Sequence, residues 1–402
     1  MKSTDFLHIS EDGNLEISNV HIVDVTTGFI KRDVVINISN GLINHIFELV
    51  EKPRLVGNAK TNVAKLWAIP GLIDSHVHLF GIHQGTQKRE FDKYFKPAKD
   101  RALSNINEAL KVGVTCVRDT GAYSAYNNQF RDIVEANIPK FKFRIVSCGR
   151  HVTRPNGHWS DRGVVWDPNK CSLKELVSNE LLSGADFTKV MNDDQIFDLG
   201  ELKEIASVCK KMHRKFACHA FKKETINLAF NAGADTIEHA VCYSEEFCEK
   251  VIETDVIICP TFVAAQDSLE NMTDVLNVTK DCNQKEFEDW AHLLHQHLPK
   301  TFEAGVKVIA GTDAGTVPTN FQSLPREIVH FSKLGATNLQ ALQSATINAA
   351  EALGIADITG SLELNKSADI VLLGKNPLPN IEKAIQDVKM VISRGHIAIN
   401  NL

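Results

Sequence analysis

Between residues 68 and 313, short apolar runs alternate eight times with helical patterns, a rhythm that few folds accommodate. The runs span 68–80, 114–119, 143–148, 186–191, 215–219, 235–239, 256–260 and 307–313. Helical patterns fall at 173–183, 199–213, 224–232, 244–254 and 287–304. Gly113, Gly184, Gly233 and Gly305 each stand a few residues before a run, where a glycine ends a helix at no steric cost. Strands that alternate with helices form a parallel sheet, and eight β/α units are the number that closes a (β/α)8 TIM barrel. Two further helical patterns, at 324–334 and 338–353, complete it.

The chain ends read differently. Residues 15–25, 34–38 and 42–46 read as strands, the last two flanking an Asn40-Gly41 turn. A β pattern returns at 368–373 and 388–397. The simplest arrangement is an α/β chain of two units. A small β-sandwich is built from 1–66 and 359–402, and the barrel of 67–358 is inserted between its halves. Two long segments without a repeating pattern, 149–168 and 261–284, leave the ends of the third and seventh strands and are expected to face the substrate.

Composition narrows the partners. A net charge of -6 argues against nucleic acid. No apolar run approaches the roughly 20 residues of a membrane span, and the first residues do not make a signal peptide. Nine cysteines without CxxC spacing read as free thiols in a reducing cytoplasm.

Chemistry is concentrated at strand ends. His76 and His78 are two residues apart on the first strand, so their side chains point to the same side. Lys189 lies in the fourth strand, His219 and His239 end the fifth and sixth, and Asp313 ends the eighth. Barrel enzymes assemble their sites from such ends on one face, and imidazole and carboxylate together make a metal site.

The stretches Pro70-Gly71-Leu72-Ile73-Asp74-Ser75-His76-Val77-His78, Ala217-Cys218-His219-Ala220, Asp235-Thr236-Ile237-Glu238-His239-Ala240 and Gly311-Thr312-Asp313-Ala314-Gly315 resemble those of the amidohydrolase superfamily. Ser367-Ala368-Asp369-Ile370-Val371-Leu372 resembles the strand by which such enzymes return to their β domain. Within the superfamily the chain is most similar to the Xaa-Pro dipeptidase (prolidase)-like branch, neighbours of the imidazolonepropionases. The resemblance implies two divalent ions, with Zn²⁺ best suited to nitrogen and oxygen donors. His76, His78 and Asp313 would hold one ion and His219 and His239 the other. Lys189, carboxylated by CO₂, would stand between them. Burial favours the neutral amine that CO₂ requires, and the carbamate is anionic where an ammonium would repel a cation. A hydroxide shared by the ions would attack an amide carbonyl, with Asp313 as the catalytic proton shuttle to the leaving nitrogen.

The substrate implied is a small molecule, a dipeptide or an N-acyl amino acid. His158 lies in Thr153-Arg154-Pro155-Asn156-Gly157-His158, which resembles the branch's Thr-Gly-Gly-His loop with Asn156 in place of a glycine. His158, Arg154 and Tyr243 are the expected substrate contacts. After Lys189 the chain departs from the branch, with Asn192-Asp193-Asp194 where small residues and glycines are usual. A mononuclear deaminase or cyclic imide hydrolase of the same superfamily is the alternative enzyme. It leaves Lys189 unexplained, and no glutamate follows His219 until Glu224. A metal-free scaffold is the alternative of another class, and it conflicts with the filled ligand positions. Barrel hydrolases of this kind often self-associate into homo-oligomers.

Overall fold

The computed structural model describes residues 7–9, 14–48, 65–81, 91–122, 125–137, 142–193, 197–273, 275, 284–316 and 318–402. Seven barrel strands are regular: Leu72–Val77, Val114–Asp119, Arg144–Ser147, Phe187–Met191, Lys215–Ala220, Thr236–His239 and Ile257–Cys259. They are numbered one to seven below. Neighbours pair in parallel from one to three and from four to seven. The two groups join where Asp186 donates its backbone N–H to the Ser147 carbonyl.

The eighth run is not a regular strand, yet it closes the ring. Ile309 donates to Ile258 in strand seven, Ser75 of strand one donates to Ala310, and Asp313 donates to His76 at 2.8 Å. Gly113, Gly184, Gly233 and Gly305 all take the positive φ expected of helix exits.

The run at 68–80 divides at Gly71. Trp67–Pro70, expected at the start of the barrel, pairs with Ile370–Leu373 and with Leu15–Val23 in the terminal sheet. The barrel begins only at Leu72. A Cβ at position 71 would come within 2.1 Å of Thr115 Oγ1, so the crossing between the two sheets admits only glycine.

The terminal unit is one eight-stranded sheet containing strands from both ends of the chain. It curls until Ile43 donates to Lys366 and Ala368 donates to Gly41. Its apolar face, with Ile17, Val20, Ile36, Ile370 and Ile392, is enclosed by that curl. Asn40 and Gly41 form the turn with φ of 52° and 78°, the paired positive values of a two-residue hairpin.

Two helical expectations need correction. The pattern at 338–353 is two helices, Asn338–Ser344 and Ile347–Leu353. The barrel takes the carbonyls between them: Ala310 donates to Ser344 and Ile73 to Ala345. Segment 261–284, expected to be irregular, contains the helix Phe262–Glu270. The first two N–H groups of that helix donate to the Glu327 carboxylate, at 2.9 and 2.6 Å. Residues 276–283 of that segment lie outside the described residues.

Candidate metal centre

His76, His78 and Asp313 meet where strand one abuts the eighth run, and their ligand-type atoms all lie within 4.8 Å of one another. Asp313 Oδ1 is 3.3 Å from His78 Nε2 and 3.6 Å from His76 Nε2. The row continues across the barrel mouth. The His76 and His239 rings are 5.0 Å apart, and those of His239 and His219 are 4.5 Å apart. Lys189 is buried in strand four, close enough to Glu238 and Asp313 to feel their charge. All six expected residues therefore stand at one end of the barrel.

Each imidazole is held by one nitrogen, leaving the other to act as a donor. His76 Nδ1 is 2.7 Å from Glu238 Oε2, His78 Nδ1 is 3.0 Å from the Gly121 carbonyl, and His239 Nδ1 is 2.7 Å from Thr261 Oγ1. Each of these three turns Nε2 away from its anchor, and His78 Nε2 also lies 3.2 Å from Thr120 Oγ1. Outer-nitrogen anchoring of this kind fixes the tautomer and orientation of metal-ligating histidines. Burial pushes His76 down to about 3 and holds His239 well below the ordinary imidazole range, so both are neutral with a lone pair to donate. Asp313 Oδ1 is buried and has no hydrogen-bond partner. The donor set fits divalent cations.

Lys189 fits the same reading. It is 1% exposed and, among the described residues, has no ion pair. Burial lowers its pKa, and the neutral amine this favours is the form that reacts with CO₂.

A buried network that sequence reasoning missed supports the centre. Arg118, on strand two, donates from Nε to the Ser75 carbonyl at 2.5 Å and from Nη1 to Thr236 Oγ1 at 2.9 Å. Its Nη2 donates to Glu238 Oε1 at 2.7 Å. One guanidinium thus spans the barrel interior from strand one to strand six, and the carboxylate it reaches is the one that holds His76. Burial alone would raise Glu238, but Arg118 and the His76 hydrogen bond hold it well below the carboxylate range. Cys259 lies near the same pair. Burial raises its thiol well above the ordinary range, and Glu238 is already engaged by Arg118, Thr236 and His76.

Strand alternation hid this role of Glu238. Period two sets Glu238 and His239 on opposite faces, yet both reach the interior because His239 and Ala240 are left-handed, with φ of 68° and 45°. Asp313, Thr261 and Trp159 are also left-handed. Such strain in non-glycine residues gathers at functional sites. Asp74 buttresses the eighth run, accepting from Thr312 N at 3.0 Å and Thr312 Oγ1 at 2.6 Å. A Cβ at Gly315 would strike the His78 carbonyl at 2.0 Å, so the chain past Asp313 must be glycine there.

Of the expected substrate contacts, His158 alone reaches the centre. It stacks on His219 at 4.8 Å and on Trp159 at 5.1 Å, and Trp159 stands edge-on to His78. Arg154 and Tyr243 have partners elsewhere in the protein. Arg154 pairs with Glu201, its guanidinium lying 4.8 Å over Phe197 and 5.0 Å over Trp166. The Tyr243 hydroxyl is bonded to Thr301 Oγ1 at 2.5 Å within the packing of helix Gln284–Glu303. Their positions in the sequence could not show these partners, which come from other elements.

The residues after Lys189 also reach the site. Asp193 is buried, and its Oδ2 is 2.7 Å from His219 Nε2. Asp194 lies outside the described residues.

Comparison with known proteins accords with this geometry. Residues 67–398 match the model of the Amidohydrolase family. The imidazolonepropionase of Fusobacterium nucleatum is 24% identical over 410 residues, spanning 90% of this chain and 88% of its own. The ochratoxinase of Aspergillus niger is 26% identical over 365 residues, spanning 80% of this chain and 73% of its own. The crystal structure of a Xaa-Pro dipeptidase with methionine bound in its active site superposes with a TM-score of 0.79 at 23% identity. It covers 95% of this chain and 98% of its own, a likeness of fold.

Proposed function

The chain belongs to the amidohydrolase family, metal-dependent hydrolases of carbon–nitrogen bonds, and on that premise we propose that it cleaves the amide bond of a dipeptide, Xaa-Pro or similar, or of an N-acyl amino acid. The observation that carries this reading is the convergence of four histidines and Asp313 on one barrel mouth beside a buried lysine that has no ion pair among the described residues. His76, His78 and Asp313 would hold one ion and His219 and His239 the other, with Lys189, once carboxylated, supplying an anionic oxygen donor to the centre. Zn²⁺ suits the nitrogen and oxygen donors. When bound, the ions supply Lewis acidity, acidifying a water and polarising the scissile carbonyl.

The protein's own groups do the rest. Burial would raise Asp313, but the contact with His78 and the neighbouring His76 hold it below its ordinary value. It is therefore a carboxylate at neutral pH, able to take a proton from the attacking water and return it to the leaving nitrogen. His158, stacked on His219, is placed to donate to a substrate oxygen. The likeness of fold to a Xaa-Pro dipeptidase supports a dipeptide as the substrate class. The described cysteines are all unpaired, which supports a reducing compartment, and no described helix is long and apolar enough to cross a membrane.

The alternative of a mononuclear enzyme acting on a cyclic amide or an aminated ring has one observation in its favour: among the described residues, the close trio His76, His78 and Asp313 includes neither His219 nor His239. It gives Lys189 no role. The deciding assay offers metal-loaded protein a panel of Xaa-Pro dipeptides and N-acyl amino acids and follows free amino acid. Release from at least one class is expected. Turnover confined to cyclic imides or aminated heterocycles would overturn the reading.

A further inference from the structure

Six rings close a belt around the candidate metal centre. His76 and His78 are 5.6 Å apart, His78 and Trp159 4.9 Å, and Trp159 and His158 5.1 Å. His158 is 4.8 Å from His219, His219 is 4.5 Å from His239, and His239 returns to His76 at 5.0 Å. Four members are the expected ligands. The other two, His158 and Trp159, come from the loop after strand three, and Trp159 is only half-buried. A bulky, partly open indole at this point limits what else can lie beside the centre.

The indole is placed by its own backbone. Trp159 has a φ of 53°, a left-handed conformation that a bulky residue keeps only where its surroundings impose it. The Trp159 carbonyl accepts from Arg162 N at 2.9 Å, from Gly163 N at 3.1 Å and from His151 Nε2 at 3.1 Å. A carbonyl oxygen only accepts, so Nε2 of His151 carries the proton. His151 is 1% exposed and is wedged against two glycines. A Cβ at Gly163 would come within 2.5 Å of its ring, and one at Gly121 within 2.7 Å. The Gly121 carbonyl is in turn the anchor of His78 Nδ1. One buried side chain thus fixes the loop relative to a ligand of strand one.

We propose that Trp159 is a specificity-determining residue: its indole, held by His151, walls the side of the site from which the amine leaves and confines the reaction to small leaving amines. This rests on the amide-hydrolase reading above. The side follows from Asp313. The group that returns the proton must stand next to the leaving nitrogen, and Asp313 Oδ1 lies 3.3 Å from His78 Nε2. The indole stands edge-on to that same histidine. Away from it, Phe221 stacks on His239 at 4.8 Å and walls the acyl side. The indole is not free to swing aside, because His158 stacks on it and the Arg162 guanidinium lies over its ring at 5.7 Å.

The test separates the two sides of the scissile bond. One series keeps an N-acetyl group and varies the leaving amino acid from glycine and proline to leucine and phenylalanine. The other keeps proline and varies the acyl group from acetyl to benzoyl. The metal-loaded parent should favour glycine and proline as leaving groups. Trp159→Gly suits the left-handed backbone, and it should raise kcat/KM for the bulky leaving groups relative to glycine about tenfold. The acyl preference should stay within about twofold, and Trp159→Phe should shift the leaving-group ratio less. His151→Met, which cannot donate, should move that ratio in the same direction, whereas His151→Gln, which can, should not. In metal-free protein the Trp159 indole ¹⁵N–¹H signal, assigned with Trp159→Phe, should shift in His151→Met and hold its place in His151→Gln. Equal loss across both series in Trp159→Gly, or a shift confined to the acyl series, would overturn the proposal. An indole signal unmoved in His151→Met would remove His151 from it. A parent that hydrolyses no member of either series refutes the amide reading instead, and the indole signal still decides whether His151 holds the wall.

Discussion

Replacing Arg118 by leucine is the sharpest test of the network beneath the metal centre. Arg118 is 2% exposed and Glu238 is fully buried. The substitution removes three hydrogen bonds from the guanidinium, to Ser75, Thr236 and Glu238. It leaves Glu238 charged, with only the Thr236 hydroxyl and His76 as partners. A buried charge stripped of its partner destabilises by about 3–5 kcal/mol. Urea denaturation of metal-free protein, followed by circular dichroism, reads this directly, since bound ions would add their own stabilisation. The stronger prediction is a change of sign. In the parent, Glu238→Gln should destabilise, because it weakens both the Arg118 pair and the anchoring of His76. In Arg118→Leu it should stabilise by roughly 2 kcal/mol, because the charge it removes is the one left without a partner. A loss below about 1 kcal/mol for Arg118→Leu, or the same sign for Glu238→Gln in both backgrounds, would refute the reasoning.

Further outcomes follow from the same structure. Asp313→Asn should retain most of its metal by elemental analysis while kcat falls by about two to four orders of magnitude; near-normal turnover would remove the proton-shuttle role. His151 is buried, and burial pushes it down to about 3, so its native form resists the proton that the unfolded chain takes up below its ordinary value of 6.5. The stability it gives is therefore lost as pH falls through 6.5, by about 2 kcal/mol between pH 7 and pH 5. The stability gap between parent and His151→Gln should narrow by that amount over the same interval, and a constant gap would contradict the assignment. Arg154→Ala should lower stability, through its lost pair with Glu201 and its stacking on Trp166 and Phe197, while leaving KM within about twofold of the parent; a tenfold rise in KM would return Arg154 to the substrate.

What could be read from the sequence, and what could not, divides along local and non-local causes. Strand ends carrying His76, His78, His219, His239 and Asp313 were legible because alternation and run length are local properties, and barrel topology then brings such ends together. The break at Gly71 was not legible, because an apolar run does not say which of two sheets takes each half. Helix Phe262–Glu270 was missed because its first N–H groups are capped by Glu327, more than 50 residues away, while Thr261 is engaged by His239. The division of the last helical pattern has the same origin, since the barrel claims the carbonyls of Ser344 and Ala345. Loop position near a strand end likewise does not reveal that Glu201 holds Arg154 or that Thr301 holds Tyr243. Asp193 was visible as a departure from the family pattern, but its partner His219 lies on the next strand, and only the fold joins them.

The measurement that bears most directly on the central claim is metal content per chain, by elemental analysis of protein purified without chelators. With every ligand position filled and Lys189 buried with no ion pair among the described residues, the account predicts about two equivalents of divalent metal in the parent, and fewer in Lys189→Ala with partial restoration by small carboxylic acids. A Lys189→Ala protein that kept two equivalents and full activity would contradict the carbamate bridge, and a parent that took up no metal even on reconstitution would contradict the account as a whole.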